Sequence, residues 1–499
     1  MPNLDYIIVQ AGGKGTRLKD LTINKPKAIV SVDNLPIIYH LFRKYPDKKF
    51  IVIADYLEGV LKKYLETFKE VDCLVVSTDG HQGTCSGINN ALKLIPPKMR
   101  FMIIWSDLIL GDQFGLPIND EEYIGISTSF ECRWSYCNGE IIEKKSSDAG
   151  IAGLFIFNDK SNLSTLPDDG EFVRWLHDKE YKFNALELKD TMEYGSVDRI
   201  QPAKSGKCRP FNSITVKGDV LVKQGIDEQG KKLAIDEKKW YDRVKNLDVA
   251  IPKIYSLDPF TMEYIKGKNV FEYDLPFERK ASILASIMNE LKKMHKYDEC
   301  FPDAFSAKEV YYDKTISRLE KVRNLIPLTN KEYITINGKK CRNIFFYLDE
   351  FRKKIENLPQ KKFCLIHGDC TFSNIILKNE RDPIFIDPRG YFGKCTLVGD
   401  PDYDWAKLYY SLYGDYDQFN LGRFKLLFKE DSVELSIKTN DWRCTEDIFI
   451  KLLPKDSDIN TIRLIHALIW LSLTTYVWND YDSICGAFYN GLYYLEDLL

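Results

Sequence analysis

Short apolar runs alternate with amphipathic stretches along the N-terminal third of the chain. The apolar runs predict strands and the amphipathic stretches predict helices: strands at residues 5–11, 50–54, 73–77 and 101–105, and helices at 57–68 and 86–94. Strands that alternate with helices are typical of a parallel sheet with helices packed on its faces. The pattern therefore predicts an α/β layer for this part of the chain.

The pattern breaks at residues 204–210, where basic residues, a glycine and a proline replace apolar positions. We place a linker there, between a first domain over residues 1–203 and a second over residues 211–499. Beyond the linker, two short strands between 213 and 223 predict a hairpin, because the Lys-Gly pair between them suits a tight turn. Apolar residues at helical spacing then predict a long amphipathic helix at 281–295.

The first predicted strand ends in a loop rich in glycine and basic residues. Glycines let backbone amides approach a phosphate closely, and basic side chains supply positive charge beside them. The loop matches neither the P-loop pattern nor the GxGxxG dinucleotide pattern. It therefore predicts a phosphate-binding site of another kind, and its members are Gly12, Gly13, Lys14, Gly15, Thr16 and Arg17.

The sequence AGGKGTRL, followed by Lys25-Pro26-Lys27, resembles the corresponding motif of the sugar-nucleotide pyrophosphorylases, which are sugar-1-phosphate nucleotidyltransferases. The resemblance implies a Rossmann-like α/β nucleotidyltransferase domain. It also implies that the glycine loop binds the triphosphate of a nucleotide. Arg17 and Lys27 are the catalytic candidates, because in this family the arginine holds the triphosphate and the lysine neutralises the reacting phosphates.

A carboxylate, Asp107, follows the strand predicted at 101–105. Open α/β sheets bind ligands just beyond the carboxyl ends of their strands. The resemblance makes Asp107 a Mg²⁺ ligand. It places a second metal carboxylate two residues before a Gly-Ser pair, which is Glu193 in this chain, and Asp190 is the competing candidate.

A glycine-containing segment after the third strand resembles the Gly-Thr segment with which the same family binds the nucleoside. Its candidate residues are Gln82, Gly83 and Thr84. Residues 121–189 are predicted to form a mixed insertion on the acceptor side of the cleft, with a strand at 150–157. This strand either crosses below the acceptor or serves only in packing.

A second set of polar residues lies in the segment from 364 to 390. An apolar strand leads into His367-Gly368-Asp369, Asn374 lies five positions after Asp369, and another apolar strand ends at Asp387. Kinases use an Asp to orient the attacking hydroxyl, an Asn five positions later for Mg²⁺ and a later Asp for Mg²⁺ between the phosphates. The spacing therefore predicts phosphoryl transfer.

This HGDxxxxN pattern resembles the aminoglycoside phosphotransferase and choline kinase-like small-molecule kinases. The resemblance implies an α+β bilobal protein-kinase-like domain, with an N-lobe over about 211–265 and a C-lobe over about 266–499. It makes Asp369 the catalytic base, and Asn374 and Asp387 the Mg²⁺ ligands. The later segment GDPDYDWAKL resembles the one that supports the catalytic loop in these kinases.

Three residues of the predicted N-lobe are candidates for binding ATP. A strand lysine paired with a helix glutamate holds the phosphates in kinases, and Lys223 and Glu237 are assigned these roles. Lys217 and Lys231 are rivals of Lys223. Glu263 lies where the last N-lobe strand is predicted to run into a hinge that meets adenine.

Charge and composition narrow the classes of function. The 70 basic residues nearly balance the 73 acidic ones, so nothing demands a nucleic-acid partner. The 12 cysteines form no CxxC pair, which favours reduced thiols in a cytoplasm. Polar residues interrupt the apolar stretch at 464–478, which therefore predicts a buried helix and no membrane insertion. Small molecules are the predicted partners, and a homo-oligomer is left open.

The two resemblances together predict a bifunctional cytoplasmic enzyme. The kinase domain would phosphorylate a small hydroxylated metabolite with ATP. The nucleotidyltransferase domain would then transfer a nucleotide from a second NTP to that phosphate, with Mg²⁺ at both sites. The leading acceptor is a sugar phosphorylated at its anomeric hydroxyl, which gives an NDP-sugar for surface polysaccharide. The alternative is choline or another amino alcohol or polyol, which gives a CDP-linked product.

Overall fold

The computed structural model of the protein describes residues 4–204, 212–225 and 228–498. The chain folds as two compact units, Met1–Gly206 with Asn479–Asp482 and Lys207–Trp478 with Ser483–Leu499. The predicted linker at 204–210 lies outside the described residues, except for its first position.

The first unit contains strands of very different lengths, and the long ones match the predicted apolar runs. They are β1 Leu4–Gln10, β2 Ser31–Val32, β3 Leu35–Pro36, β4 Lys49–Ala54, β5 Cys73–Ser77, β6 Arg100–Trp105, β7 Leu108–Ile109, β8 Tyr123–Ser127, β9 Ser135–Cys137, β10 Glu140–Ile142, β11 Gly150–Phe157, β12 Asn184–Glu187 and β13 Met192–Glu193.

A nine-stranded sheet organises this unit, in the order β10-β9-β11-β6-β1-β4-β5 with β8 and β12 beyond β11. The strands β6, β1, β4 and β5 are parallel neighbours. The inner strands β6, β1 and β4 are largely buried apolar runs that alternate with helices, as such sheets require, whereas the edge strand β5 is partly exposed. The predicted α/β layer is confirmed. The strand predicted at 150–157 is β11, which lies antiparallel to β6 and pairs with β8 on its other side.

The helices of the first unit pack around this sheet and around the segment that follows β1. They are α1 Ile37–Lys44, α2 Glu58–Thr67, α3 Cys85–Lys93, α4 Phe172–Asp178 and α5 Val197–Lys204. Ile88 of α3 and Phe172 of α4 join strand residues such as Ile53 and Phe155 in one buried cluster. Burial of this apolar surface is the main force that fixes the sheet edge at which the candidate site lies.

The strands that follow residue 212 form several smaller sheets. They are β14 Asn212–Lys217, β15 Val220–Gly225, β16 Ile254–Leu257, β17 Phe260–Glu263, β18 Gly267–Asn269, β19 Tyr333–Ile336, β20 Lys339–Arg342, β21 Cys364–Leu365, β22 Ile375–Lys378, β23 Asp382–Phe385, β24 Tyr391–Phe392, β25 Cys395–Thr396, β26 Val398–Gly399, β27 Phe424–Phe428 and β28 Ser432–Ile437.

The helices that follow residue 212 make up most of the second unit. They are α6 Glu228–Val244, α7 Phe277–Met294, α8 Ala304–Lys308, α9 Lys314–Val322, α10 Leu348–Glu356, α11 Pro401–Leu412, α12 Tyr416–Asn420, α13 Glu446–Leu452, α14 Ile459–Leu473 and α15 Tyr481–Leu495.

A four-stranded antiparallel sheet, in the order β14-β15-β17-β16, forms the N-lobe of the second unit. The predicted hairpin is β14 and β15, and its second strand runs two residues past Lys223 to Gly225. Helix α6 packs on this sheet, where Trp240 and Tyr241 are buried beside Phe260 and Met262. A small sheet followed by a mainly helical lobe gives the predicted bilobal kinase-like fold.

The apolar stretch predicted at 464–478 lies largely within α14, which begins earlier and ends at Leu473. The Asp458 carboxylate caps this helix by accepting a hydrogen bond from the Thr461 N–H at 2.9 Å. Within the part of the chain that the structure describes, no helix combines the length and apolar character needed to cross a bilayer.

Candidate active sites

The glycine loop of the first unit follows β1 and turns sharply at Gly15. The backbone of Gly15 is left-handed, with φ of 62°, and an added Cβ would lie 3.2 Å from the Cβ of Lys27. Only glycine accepts this conformation and this close approach without strain. Gly12 is buried, whereas Gly13, Lys14 and Thr16 are exposed. The loop therefore presents its backbone and the Lys14 side chain to solvent at the carboxyl end of β1.

An ion pair joins the lysine and the aspartate predicted for this site. The Lys27 ammonium donates to a carboxylate oxygen of Asp107, and both side chains are largely buried. Asp107 follows β6, whose last residue, Trp105, pairs with Gln10 at the end of β1. The two parallel strands thus deliver the glycine loop and Asp107 to the same edge of the sheet.

Glu193 reaches the same edge through a short strand pair. Strand β13 places Glu193 opposite Leu108 of β7, and the N–H of Tyr194 donates to the carbonyl of Asp107 at 2.8 Å. The Arg17 guanidinium donates to Oε1 of Glu193 at 3.1 Å. Asp190 is exposed in the turn before β13. The structure therefore brings Glu193, and not Asp190, beside Asp107 and Arg17.

Sequence reasoning missed one charged residue of this cluster. The Arg199 guanidinium donates to Oε2 of Glu193, and also to the Glu193 carbonyl at 3.0 Å. Arg199 belongs to α5, which begins directly after the Gly-Ser pair. A basic residue in the first turn of that helix was the available signal, but no motif singled it out.

The predicted nucleoside-binding segment is held by a second loop. The Thr84 N–H donates to the carbonyl of Gly170 at 2.9 Å, and the Thr84 hydroxyl accepts from the N–H of Phe172 at 2.8 Å. A Cβ on Gly83 would lie 2.2 Å from the Gly170 oxygen, so this position requires glycine. Gln82 is exposed beside this pair. The segment from Gln82 to Thr84 is thus fixed ahead of α3.

In the second unit, Lys223 links two predicted carboxylates. Its ammonium donates to Oε1 of Glu237 at 2.8 Å and to Oδ1 of Asp387 at 2.7 Å. Burial would lower the pKa of Lys223, but the charges of Asp387 and Glu237 outweigh it and raise the pKa above its ordinary value. The rivals Lys217 and Lys231 are exposed. Lys223 is the lysine that the fold brings to this cluster.

Asp369 and Asn374 meet in the loop between β21 and β22. The Asn374 amide nitrogen donates to the Asp369 carbonyl at 2.8 Å and to its Oδ2 at 3.1 Å. The Lys407 ammonium of α11 lies 2.9 Å from Oδ1 of Asp369. Both carboxylate oxygens of Asp369 therefore face donors that fix its orientation.

The buried carboxylate of Asp404 supports this loop from behind. It accepts hydrogen bonds from the N–H groups of His367, at 2.9 Å, and Gly368, at 2.7 Å. Burial lowers the pKa of His367. A neutral ring with its proton on Nε2 fits its contacts, because Nε2 lies 3.0 Å from the Ile386 carbonyl and Nδ1 accepts from the N–H of Asp369. His367 therefore shapes the loop.

Glu263 lies apart from this cluster. It ends β17, and its carboxylate accepts from the Lys378 ammonium at 2.7 Å and from the Lys253 N–H at 3.2 Å. Among the residues that the structure describes, Glu263 is not one that lines the cleft around Asp369 and Asp387. Its carboxylate therefore ties the end of β17 to Lys378 of β22 and to the backbone of Lys253, close to the predicted hinge.

The cleft around Asp369 has a volume of about 350 Å³. Beyond the predicted residues it is lined by three cations that sequence reasoning did not assign: Lys314, Arg318 and Arg389. Arg389 follows Asp387 by two positions, and its place in the sequence Asp387-Pro388-Arg389-Gly390 was a signal that it lies near the predicted metal ligand. Lys314 and Arg318 lie on α9, and no motif marks them.

Three large aromatic residues in the last 60 positions of the sequence serve as core. Trp442, Trp470 and Tyr481 are buried, and the Trp470 indole N–H donates to Nε2 of His466 at 3.0 Å. Their rings are therefore packed against protein. This outcome agrees with the usual role of large aromatic side chains in helical lobes.

Comparison with known families matches both units. Residues 6–120 match the nucleotidyl transferase family, and residues 214–429 match the phosphotransferase enzyme family. The chain therefore contains an N-terminal nucleotidyl transferase domain and a C-terminal phosphotransferase domain of the aminoglycoside phosphotransferase type. The fusion predicted from the two motif sets is confirmed.

Two curated relatives match shorter stretches of the chain. A UTP–glucose-1-phosphate uridylyltransferase, AglF of Haloferax volcanii, is 33% identical over 114 residues, which are 22% of this chain and 45% of the relative. A glucose-1-phosphate cytidylyltransferase of Salmonella typhimurium is 38% identical over 64 residues, 12% of this chain and 25% of the relative. The chain thus spans less than half the length of these relatives.

The solved structure of the CTP:phosphocholine cytidylyltransferase LicC from Streptococcus pneumoniae is similar to 40% of this chain and 97% of that one, with 19% identity and a TM-score of 0.34.

Proposed function

We propose that the protein is a cytoplasmic bifunctional enzyme that phosphorylates a small hydroxylated metabolite and then activates the product with a nucleotide. The observation that supports this most is the presence of both domains on one chain. A kinase makes a phosphomonoester, and a nucleotidyl transferase of this kind consumes one. The two reactions are therefore consecutive steps on one metabolite.

In the kinase step, the acceptor hydroxyl donates a hydrogen bond to Asp369, which takes its proton as the oxygen attacks the γ-phosphorus of ATP. Lys223, held by Glu237, binds the phosphates. Lys407 fixes the Asp369 carboxylate, from a distance of 2.9 Å. This arrangement uses positioning and charge compensation and needs no covalent intermediate on the protein.

In the transfer step, the phosphate of the product attacks the α-phosphorus of an NTP in line and releases pyrophosphate. The glycine loop binds the triphosphate through its backbone amides. Arg17 and Lys27 offset the negative charge that develops during the reaction. The Lys27 ammonium is already placed by its ion pair with Asp107.

The donor atoms at both sites fit Mg²⁺, which prefers oxygen ligands and keeps phosphates and waters in its coordination shell. Asn374 and Asp387 would hold it in the kinase site, and Asp107 with Glu193 in the other. Within the described residues no group of three or more His, Cys, Asp or Glu is arranged to hold a metal, so nucleotide phosphates would complete each shell. The cation would neutralise phosphate charge at the reacting oxygens.

For the acceptor we propose a sugar, phosphorylated at its anomeric hydroxyl and converted to an NDP-sugar for surface polysaccharide. The names of the two curated relatives, both glucose-1-phosphate nucleotidyltransferases, support this choice. The alternative, choline or another amino alcohol converted with CTP, is disfavoured by charge. Five cations and three carboxylates line the kinase cleft, which would repel a quaternary ammonium.

The test compares Asp369→Asn and Asp107→Asn with the parent enzyme. ADP formation is measured with ATP and a panel of free sugars, and pyrophosphate release is measured with NTPs and supplied sugar 1-phosphates. Loss of the base at 369 should lower ADP formation by roughly 100-fold to 10,000-fold and leave pyrophosphate release unchanged. Asp107→Asn should lower pyrophosphate release and leave ADP formation unchanged.

The exposed Asp456 provides a matched control. Asp456→Asn makes the same chemical change away from the proposed site residues and should preserve both reactions. If either active-site substitution silenced both reactions while the protein remained folded, the two-site proposal would be wrong.

A further inference from the structure

The kinase cleft holds more positive charge than its own carboxylates can balance. Each of its three carboxylates has a lysine partner within the cleft, Lys223 for Glu237 and Asp387, and Lys407 for Asp369. The remaining cations are Lys314, Arg318 and Arg389. Among the described residues, none of these three forms an ion pair with a carboxylate.

Neutral partners hold two of these cations in place. Arg318 donates to the hydroxyl of Ser472 on α14 at 3.0 Å. Arg389 donates to the Tyr403 hydroxyl at 2.9 Å, and its guanidinium carbon lies 4.7 Å from the centre of the Tyr391 ring. These contacts orient the two guanidinium groups through neutral partners. Burial would lower the pKa of Arg389, but Tyr403, Tyr391 and the charge of Asp369 outweigh it and raise that pKa, so Arg389 stays charged.

Lys314 lies four residues before Arg318 on α9, so their side chains share one face of the helix. Burial, together with the charges of Arg389, Arg318 and Lys407, lowers the pKa of Lys314 to about 7. Burial and Arg389 also lower the pKa of Arg318. Partly buried like charges that form no ion pair cost free energy, and a bound anion would relieve that cost.

Three of the six tyrosines that line the cleft already lie against a cation of the protein. Arg389 lies over the Tyr391 ring, and the Lys407 ammonium lies 5.8 Å and 5.6 Å from the ring centres of Tyr403 and Tyr410. Cation–π contacts with these faces are therefore already made by the protein. The chemistry of this side of the cleft selects for negative charge.

We infer that the acceptor is a hydroxylated anion, a small molecule whose carboxylate or phosphate binds to Lys314, Arg318 and Arg389 while its hydroxyl faces Asp369. This inference rests on the proposed kinase function of the same cleft. The acceptor oxygen forms a bond to the γ-phosphorus, the bond from that phosphorus to the bridging oxygen breaks, and ADP leaves. The hydroxyl proton passes to Asp369.

A binding experiment tests the inference without turnover. The enzyme is saturated with Mg²⁺ and ADP, and its melting temperature is measured with inorganic phosphate and with two matched sets: glucose, glucuronate and glucose 6-phosphate, and glycerol, glycerate and glycerol 3-phosphate. Choline is the cationic probe. Anions should raise the melting temperature, and their neutral partners and choline should not. The carboxylate and phosphate members of each set show which anion the cluster prefers.

Substitutions on α9 assign the effect to the cluster. Arg318→Gln and Lys314→Gln should remove the shift caused by anions, whereas Arg318→Lys should retain part of it. Lys321→Gln, an exposed position on the same helix, is the matched control and should behave like the parent. A shift with choline or glucose but not with anions, or no shift with any anion, would overturn the inference.

Turnover separates this inference from the proposed function. For any anion that the parent phosphorylates, Arg318→Gln should raise the acceptor KM about tenfold or more and leave the ATP KM within about twofold. An equal rise in the ATP KM would mean that the cluster binds the nucleotide, and the inference would be wrong. If anions bind but no acceptor yields ADP, the kinase proposal fails and the anion site stands. If only neutral or cationic acceptors yield ADP, the kinase proposal stands and the inference of an anionic acceptor is wrong.

Discussion

Nζ of Lys223 lies 2.7 Å from Oδ1 of Asp387, a residue 164 positions further along the chain. Lys223 comes from the N-lobe sheet, Glu237 from the helix packed on it, and Asp387 from the segment after β23. Their contact exists only when these elements are packed together. The ammonium therefore belongs at once to the stability of the unit and to its proposed phosphate chemistry.

Replacement of Lys223 by Met should destabilise the protein and stop the kinase reaction. The Glu237 side chain is only 8% exposed, so the substitution removes a cation from beside a buried carboxylate. We expect the free energy of unfolding of the second unit to fall by roughly 3 kcal/mol, measured by urea unfolding. ADP formation should be lost as well, because the phosphates lose their lysine.

A second substitution separates the two effects. In Lys223→Met/Glu237→Leu the uncompensated charge is gone, so much of the stability should return while kinase activity stays lost. Lys217→Met, at an exposed lysine of the neighbouring strand, is the control and should change neither quantity. A single Lys223→Met variant with the parent's stability and activity would contradict the assignment.

The buried Asp417 predicts a pH dependence of stability. Its carboxylate accepts a hydrogen bond from the N–H of Ser373 in the candidate catalytic loop at 2.8 Å, and burial raises its pKa from 3.8 to about 6. The folded state therefore binds a proton that the unfolded state has released between about pH 4 and pH 6. The stability from this proton is complete below the unfolded pKa and is lost as the pH rises through 6.

Asp417→Asn should remove this dependence, since the amide keeps an acceptor oxygen and carries no charge. Relative to the parent, the free energy of unfolding of the variant should rise by about 2 to 3 kcal/mol between pH 4 and pH 7. Urea unfolding at each pH measures this difference. Asp456→Asn, at an exposed position, serves as the control. Parallel pH profiles for parent and Asp417→Asn would show that Asp417 keeps an ordinary pKa.

Lys314 predicts a pH dependence of acceptor binding. Its pKa of about 7 means that the ammonium is charged below pH 7 and loses its charge above it. The KM for an anionic acceptor should therefore rise as the pH rises from 6 to 8. A carboxylate acceptor is the better probe, because a phosphate monoester itself titrates near pH 6.

Two variants at the same position check this prediction. Lys314→Gln should have a high KM that is constant across this range, and Lys314→Arg, which stays charged, should have a low and constant one. The neighbouring cations Arg318, Arg389 and Lys407 stay charged between pH 6 and 8, because arginine titrates far above this range and, against the effect of burial, the charge of Asp369 helps to raise the pKa of Lys407. A parent KM that is flat from pH 6 to 8 would assign no role to Lys314 in acceptor binding.

The nucleotide used by the first domain can be identified by thermal stabilisation of Asp369→Asn protein with Mg²⁺ and each of CTP, UTP, GTP, TTP and ATP. A ligand at a hundred times its Kd stabilises a protein by about 2.7 kcal/mol. A large shift with CTP alone would favour an alditol, an amino alcohol or a CDP-sugar. A shift with UTP, GTP or TTP would favour an ordinary sugar 1-phosphate.

The double variant Asp369→Asn/Asp107→Asn is the control for that measurement. It should lose the stabilisation by the first domain's nucleotide and keep the one by ATP, because ATP also binds the kinase domain. If the double variant kept every shift, the stabilising nucleotide would bind elsewhere and Asp107 would have no part in its site.

Local patterns in the sequence predicted the elements and the charged residues at their ends. Lys27 and Asp107 come from motifs that lie directly after predicted strands, and the fold joins them in an ion pair. Lys223 could be preferred over its rivals because the hairpin pattern set its position. Their catalytic and metal-binding roles stay predictions.

Features that depend on packing between distant segments were beyond the sequence. Arg199, Lys314 and Arg318 contribute charge from ordinary helices, and only the fold shows what they face. Helix α7 was predicted from residue 281 because the apolar stripe begins there, but it starts at Phe277, directly after Pro276. Its first turn is mostly polar, so hydrophobic periodicity gave no sign of it.

Arg389 and the α9 pair, Lys314 and Arg318, differ in how freely their residue types can change. The N–H of Arg389 donates to the carbonyl of His367 at 2.9 Å, and a Cβ on the left-handed Gly368 would lie 2.9 Å from the Cβ of Arg389. This arginine is thus built into the framework of the catalytic loop, whereas Lys314 and Arg318 belong to an ordinary helix. With the proposed acceptor site, a descendant of this enzyme would acquire a new acceptor by changing α9 alone, and a designer who wants a neutral acceptor would start there.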